Sequence, residues 1–455
     1  MKPTARRESQ PKTGGPVGSA RRAALNALFA VEKGKSERLR TALDRRNLEG
    51  KDIGLAWELA LGTERTHQFL DFVLSKFVDR ALPKDPLLLS VLRLGAYQLL
   101  NLSRMPPHAI LNETVDLLEN NRGFANAVLR KLAHSIHDSP ADPLRPDREI
   151  PLPEGTGGAR SLVFDEPALP TLGSPEFLAA RHGMPGFLVQ RWVDALGFAD
   201  TEMVCIAANL SAQVVLRPTW LCSGEDLAAA LAAQGVETSP TGIDDLLVVE
   251  SGYPFRGPAF EKGWFIAQDP TAYQAAKAVG AQPGETILDL CAAPGTKTTV
   301  LAEAVGEGGQ VLAFDTDVPR RRHILENLER LKLSDRAAVL ETLEGQGPVD
   351  RVLVDVPCSN TGVLSRRVEV RRRLRPSTFE GLAEIQRSLL SQALGFCKPG
   401  GTVTYSTCSI DAAENRDVID AVAAEHPGWE VVSDRLTIPE PLGCDGGYVA
   451  TLRNT

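Results

Sequence analysis

Four short apolar runs constrain the fold of this chain more than any other feature: Glu285–Leu290, Gln310–Asp315, Asp350–Asp355 and Gly401–Ser406. They lack the apolar/polar alternation of a strand with one wet face, so they read as strands buried on both sides, as in a parallel sheet. Helical patterns at 297–305, 319–332 and 380–397 fall between them. This alternation predicts a doubly wound, Rossmann-like α/β domain over residues 263–455. Right-handed crossovers then place the loops that follow the strands along one edge, where ligands bind.

The segments at that edge carry chemistry. Asp289-Leu-Cys-Ala-Ala-Pro-Gly-Thr-Lys297 follows a strand and opens a helix, with a single loop glycine, Gly295, in place of the three of a dinucleotide fingerprint. A phosphate cradle is thus disfavoured against a ligand without phosphate, such as adenosylmethionine. Asp315, 20 residues past Gly295 and at the end of the next strand, stands where an acid receives ribose hydroxyls, with Asp317 as its rival. Asp355-Val-Pro-Cys358 and Ser406-Thr-Cys408 each follow a later strand. Any one cysteine is usually a buried, inert thiol. Two of them at neighbouring strand ends, in Ser/Thr surroundings, argue for reactive ones, which need nearby positive charge or helix-end dipoles to ionise near neutral pH.

The remainder divides by composition. Residues 1–18 are rich in Pro, Gly, Lys and Arg and read as a disordered basic arm. Apolar residues at three- and four-residue spacing predict an all-α bundle over 19–138. Seven prolines between Pro140 and Pro170, with a Gly-Thr-Gly-Gly cluster, predict a linker at 139–172. Mixed helix and strand patterns predict a small α+β subdomain at 173–262.

Net charge is −8, against a protein that coats nucleic acid by overall charge, but basic residues cluster. Residues 1–50 hold 12 Lys/Arg against 5 Asp/Glu, and Arg366, Arg367, Arg371 and Arg372 follow Cys358. These four are candidate phosphate contacts, although such runs are more often solvated faces. Seven cysteines without a Cys-x-x-Cys pair, and seven scattered histidines, indicate neither disulfides nor a metal site. No run reaches the ~20 apolar residues of a membrane span, so a cytoplasmic location is expected.

Together, these segments resemble the RsmB/Fmu (Sun) family of 16S ribosomal RNA cytosine-C5 methyltransferases. The similar motifs are Leu290-Cys-Ala-Ala-Pro-Gly-Thr-Lys297, Asp355-Val-Pro-Cys-Ser-Asn-Thr-Gly362, Tyr405-Ser-Thr-Cys-Ser-Ile410 with Glu414-Asn415, and Phe265-Ile-Ala-Gln-Asp-Pro-Thr271. The helical part resembles a NusB-like RNA-binding domain through Leu92–Leu100, Pro107–Ile110, Asn112-Glu113 and Phe124–Arg130. The resemblance implies an S-adenosylmethionine-dependent enzyme without metal, acting on RNA, with 16S rRNA favoured by the NusB-like fusion. It implies that Cys408 adds to C6 of a flipped cytidine and that Cys358 assists release. Cys291, Ala292, Ala293, Pro294, Gly295, Thr296, Lys297 and Asp315 would contact the cofactor, with Asp355 at the methyl or base end. A tRNA substrate, or an RNA-binding assembly factor without turnover, fits the same residues. The chain departs from the family pattern at Thr296, for a usual glycine, at Val339-Leu-Glu-Thr-Leu343, for a usual Gly-Asp, and at Asp445-Gly-Gly-Tyr448, for a late Asp-Gly-Phe-Phe.

Overall fold

The computed structural model describes residues 20–36, 39–44, 48, 51–155 and 158–455. The basic arm expected at 1–18 lies outside them. The chain forms two compact units, one of residues up to Cys205 with 371–373, the other of Ile206–Val370 with Leu374–Thr455.

The first unit opens with the expected helices, among them Ala20–Glu32, Lys51–Arg65, Pro86–Asn101, Pro107–Val115 and Arg122–His134. Pro86–Asn101 starts cleanly because Pro86 fits the first turn and Asp85 Oδ1 accepts from Leu87 N at 3.1 Å. It packs so closely on Lys51–Arg65 that a Cβ at Gly62 would stand 2.1 Å from the Tyr97 ring.

The proline-rich stretch is not a plain linker. Strands β1 (Ile136–His137), β2 (Glu149–Gly155) and β3 (Gly158–Val163) form an antiparallel sheet in the order β1-β3-β2. Pro151 and Pro153 lie in β2, an edge strand, where a missing N–H is tolerated. Arg160 of β3 reaches the carbonyls of Leu99 and Leu100 at the end of Pro86–Asn101. Three helices follow, Pro175–His182, Gly186–Leu196 and Phe198–Asn209. The first two are parted by Gly183 at φ +62° and Pro185. Residues 173–205 group with the helical unit rather than with the subdomain after them.

The second unit begins with a four-stranded sheet, β4 (Val215–Pro218), β5 (Glu237–Pro240), β6 (Leu247–Ser251) and β7 (Phe265–Ala267), in the order β5-β6-β4-β7. Next come β8 (Thr286–Leu290), β9 (Gln310–Phe314), β10 (Ala337–Val339), β11 (Val349–Asp355), β12 (Cys397–Thr407), β13 (Trp429–Thr437) and β14 (Gly447–Asn454). They form one sheet in the order β10-β9-β8-β11-β12-β14-β13, with every strand parallel except β14, which runs antiparallel to its neighbours β12 and β13. Successive residues feed opposite cores. Leu288, Leu290, Val352 and Val354 pack with helices Pro376–Gly395 and Arg416–Glu425. Ile287, Val311, Ala313 and Leu353 pack with Thr296–Val305 and Val318–Arg330. The chain leaves β8 toward β9 and β10, then returns to β11 on the other side of β8. This switch point opens a crevice at the strand ends.

Candidate active site

The cofactor loop sits at the end of β8. Positive φ occurs at Cys291 (+72°) and Gly295 (+95°), and a Cβ at Gly295 would come within 3.1 Å of the Ile324 backbone. The requirement for glycine therefore falls on Gly295. Thr296 is the first residue of Thr296–Val305 and is not among the positive-φ residues, so its Cβ is accommodated there. Asp289, fully buried beneath the loop, accepts from Thr298 Oγ1 at 2.6 Å. Burial, reinforced by the nearby Asp355 and Asp315 carboxylates, pushes its carboxyl up to about 7, against the opposing hydrogen bond from Thr298.

At the end of β9 the two acids separate. Asp315 accepts from Ala293 N at 3.0 Å and Asp317 N at 2.9 Å, which fixes its carboxylate against the loop. Asp317 instead caps Val318–Arg330, accepting from Arg320 N at 3.1 Å. Of the two, Asp315 is the acid that touches the loop. Glu341 follows β10 at the same edge and is exposed.

Lys297 and Asp355 meet across the switch point, Nζ to Oδ2 at 2.7 Å. Burial alone would lower the Lys297 ammonium, but the Asp355 carboxylate outweighs it and raises it, with Cys408 acting in the same sense.

The two predicted thiols converge. Cys358 Sγ and Cys408 Sγ are 2.9 Å apart, both as free cysteines, and Cys408 Sγ also lies 3.4 Å from Asn360 Oδ1. The hydrogen bond with Cys408, then burial, raises the Cys358 thiol well above the usual range. Either thiol can donate across this contact.

Sequence reasoning missed what joins the two loops. Glu414 is fully buried and accepts from Ser359 N at 2.8 Å, Ser409 Oγ at 2.6 Å, Gln386 Nε2 at 3.0 Å and Ser359 Oγ. Thr361 Oγ1 accepts from Ile410 N at 3.0 Å, and Gly362 N donates to the Cys408 carbonyl at 2.9 Å. A buried acid with four donors is a rigid tie. Its signal in the sequence was the Glu414-Asn415 pair shortly after the second cysteine, which carried no mark of these partners.

The arginines are placed differently from expectation. Arg366 bonds Asp445 at 2.5 Å, Gln213 O at 2.9 Å and Asp269 at 3.1 Å. Arg371 is 1% exposed and donates to the Arg65 carbonyl, and Arg372 pairs with Glu64 and Glu32. These three guanidinium groups are committed to protein partners and are not carried forward as phosphate contacts. Arg367 is half-buried and also has a partner.

Cys408, Lys297 and Asp355 open into a cavity of about 210 Å³, also walled by Thr271, Asp445, Gly446 and Tyr448. Among the described residues, no group of His, Cys, Asp and Glu side chains is placed to hold a metal ion, and no helix is long and apolar enough to cross a membrane.

Comparison with known proteins accords with this arrangement. Residues 276–453 match the family described as 16S rRNA methyltransferase RsmB/F, and residues 18–134 match the NusB family. A probable ribosomal RNA small subunit methyltransferase B from Synechocystis is 31% identical, over 90% of this chain and 93% of its own length. The chain belongs to the RsmB/F family. The ribosomal RNA small subunit methyltransferase B of Sodalis glossinidius is likewise 31% identical, over 89% of this chain and 90% of that protein. The solved structure of PH0851 shares the fold at a TM-score of 0.73, with 23% identity, covering 97% of this chain and all of that one. As an RsmB/F member the chain is a methyltransferase with a NusB domain, built on the Rossmann-like fold expected from its strand pattern.

Proposed function

We propose that the protein methylates C5 of a cytidine in small-subunit ribosomal RNA, drawing the methyl from S-adenosylmethionine and passing through a covalent Cys408 adduct. The observation that carries this reading is the 2.9 Å pairing of two inequivalent thiols beside the Lys297–Asp355 ion pair.

The crevice suits the cofactor. Asp315 is fixed where ribose hydroxyls would meet it, Cys291–Lys297 wraps the end of β8, and the close approach at Gly295 leaves no room for a side chain. S-adenosylmethionine would supply an electrophilic methyl group there. C5 of cytosine is too electron-poor to take it unaided. Addition of the Cys408 thiolate to C6 would push electron density onto C5, which would take the methyl group as its bond to the cofactor's sulfonium breaks and S-adenosylhomocysteine leaves. Asp355 would stabilise the protonated ring nitrogen. Loss of the C5 proton and cleavage of the C6–S bond restore the ring and free the enzyme.

Electrostatics supports the division of labour. The hydrogen bond with Cys408, then burial, raises the Cys358 thiol, which suits it to keep its proton while Cys408 attacks. Once Cys408 is bonded to C6 its negative charge is gone, and Cys358 becomes easier to ionise at the stage where elimination needs a base. The NusB domain would supply RNA affinity, and its presence favours ribosomal RNA over tRNA. Retention of both thiols in a built site disfavours a factor without turnover.

The test is nucleoside analysis of small-subunit rRNA incubated with protein and S-adenosylmethionine. Digested RNA should contain 5-methylcytidine with the wild-type protein and none with Cys408→Ser. A methyl group on another base, or transfer that persists in Cys408→Ser, would overturn the proposal.

A further inference from the structure

The active-site cavity does not end at β14. A second cavity, of about 410 Å³, continues beside it between β13 and the helix Pro270–Lys277, and the two share Arg435 and Val449 in their walls. Strand register explains the adjacency. Asp355 of β11 pairs with Ser406 of β12, Ser406 with Val449 of β14, and Val449 with Arg435 of β13. Paired residues project to the same face, so one cross-strand row carries the active-site carboxylate at one end and a guanidinium at the other. Three interstrand steps of ~4.8 Å put the two backbones about 14 Å apart.

Charge in the second cavity is nearly balanced. Asp244 is paired with Lys277 at 2.7 Å and also accepts from Tyr273 Oη at 2.9 Å. Asp434 accepts from Tyr448 Oη at 3.1 Å and lies 3.6 Å from Arg416. Arg435 stands apart from these pairs. It is exposed, its one hydrogen bond is to the neutral Gln274 Oε1 at 2.6 Å, and no carboxylate pairs with it among the described residues. An unpaired guanidinium at the junction of two cavities matches an anion that enters with the substrate rather than one built into the protein.

We infer that the second cavity is a subsite for the RNA strand flanking the target cytidine, with Arg435 gripping a backbone phosphate next to the flipped nucleotide. The inference rests on the proposed RNA methyltransferase activity and adds where the strand runs: across the β14–β13 end of the sheet, not over the arginines that follow Cys358. Extruding a base needs its flanking backbone held, and a phosphate contact holds it without reading sequence.

Steady-state kinetics on a small-subunit rRNA fragment tests this with Arg435→Ala, Arg435→Lys and, as a control that keeps the charge, Gln274→Ala. Arg435→Ala should raise KM for RNA roughly tenfold, the scale of one charge-assisted hydrogen bond, with kcat within about twofold. The dependence of log KM on log salt should fall in slope by about 0.7, one single-strand phosphate contact, and Arg435→Lys should restore it. Affinity for S-adenosylmethionine should not change. An unchanged KM and salt slope in Arg435→Ala, with active wild-type protein, would overturn the subsite alone. Wild-type protein that neither binds nor methylates rRNA would overturn the underlying activity, and the subsite with it.

Discussion

Cys358 and Cys408 are the same side chain made chemically different by their neighbours. Cys408 lines the cavity with Lys297, whereas Cys358 meets Cys408 at 2.9 Å and has its thiol raised well above the usual range by that contact and by desolvation. Asp289 shows the same dependence on surroundings. Its carboxyl is raised to about 7, first by burial, so the folded protein holds that proton more tightly than the unfolded chain, whose aspartates titrate near 4. Stability from this group is therefore complete below about pH 4 and is lost as pH rises to about 7. Asp289→Asn, which can still accept from Thr298, should abolish that decline, worth as much as about 3 kcal/mol between pH 5 and pH 8, as read by chemical denaturation at those two pH values. The type and place of these residues were visible in the sequence: two cysteines and an acid, each at a strand end. Their protonation was not, because it depends on burial and on partners 8 to 66 residues away in the chain.

Elements carry these side chains to one another through loops with no slack. A Cβ on Gly362 would fall 2.4 Å from the Gly446 carbonyl oxygen and 2.9 Å from that of Cys408, so the three segments cannot stay where they are if residue 362 gains a methyl group. Gly362→Ala should lower kcat at least about tenfold by displacing the Cys408 loop, with little change in S-adenosylmethionine affinity, as measured by single-turnover methylation and equilibrium binding. The parallel strands β8, β9, β11 and β12 were readable because strands buried on both faces are apolar without interruption. The antiparallel pair β13 and β14 was not anticipated. β13 is an edge strand whose residues are mostly exposed, so Trp429–Thr437 mixes Glu, Ser, Asp and Arg with its apolar residues. The short β1–β3 sheet was hidden by prolines that only its edge position permits.

At the scale of the whole molecule, the chain joins a NusB domain to a methyltransferase domain, and its basic residues divide between structure and substrate. Arg372 pairs with the fully buried Glu64 and with Glu32 inside the first unit, so it belongs to the fold. Arg372→Ala should cost about 3 kcal/mol by stranding the buried Glu64 carboxylate, while leaving the salt dependence of RNA affinity unchanged; denaturation and binding titrations read the two effects separately. A run of arginines in a sequence carries no mark of which carboxylates will claim it, which is why these side chains invited the phosphate reading. The central claim concerns the two thiols, and a covalent trap tests it most directly. Cys358→Ala protein incubated with S-adenosylmethionine and small-subunit rRNA should yield a protein–RNA adduct on a denaturing gel, absent when Cys408 is also replaced. An adduct that survives the loss of Cys408, or its absence from Cys358→Ala protein that still binds the RNA, would contradict the account.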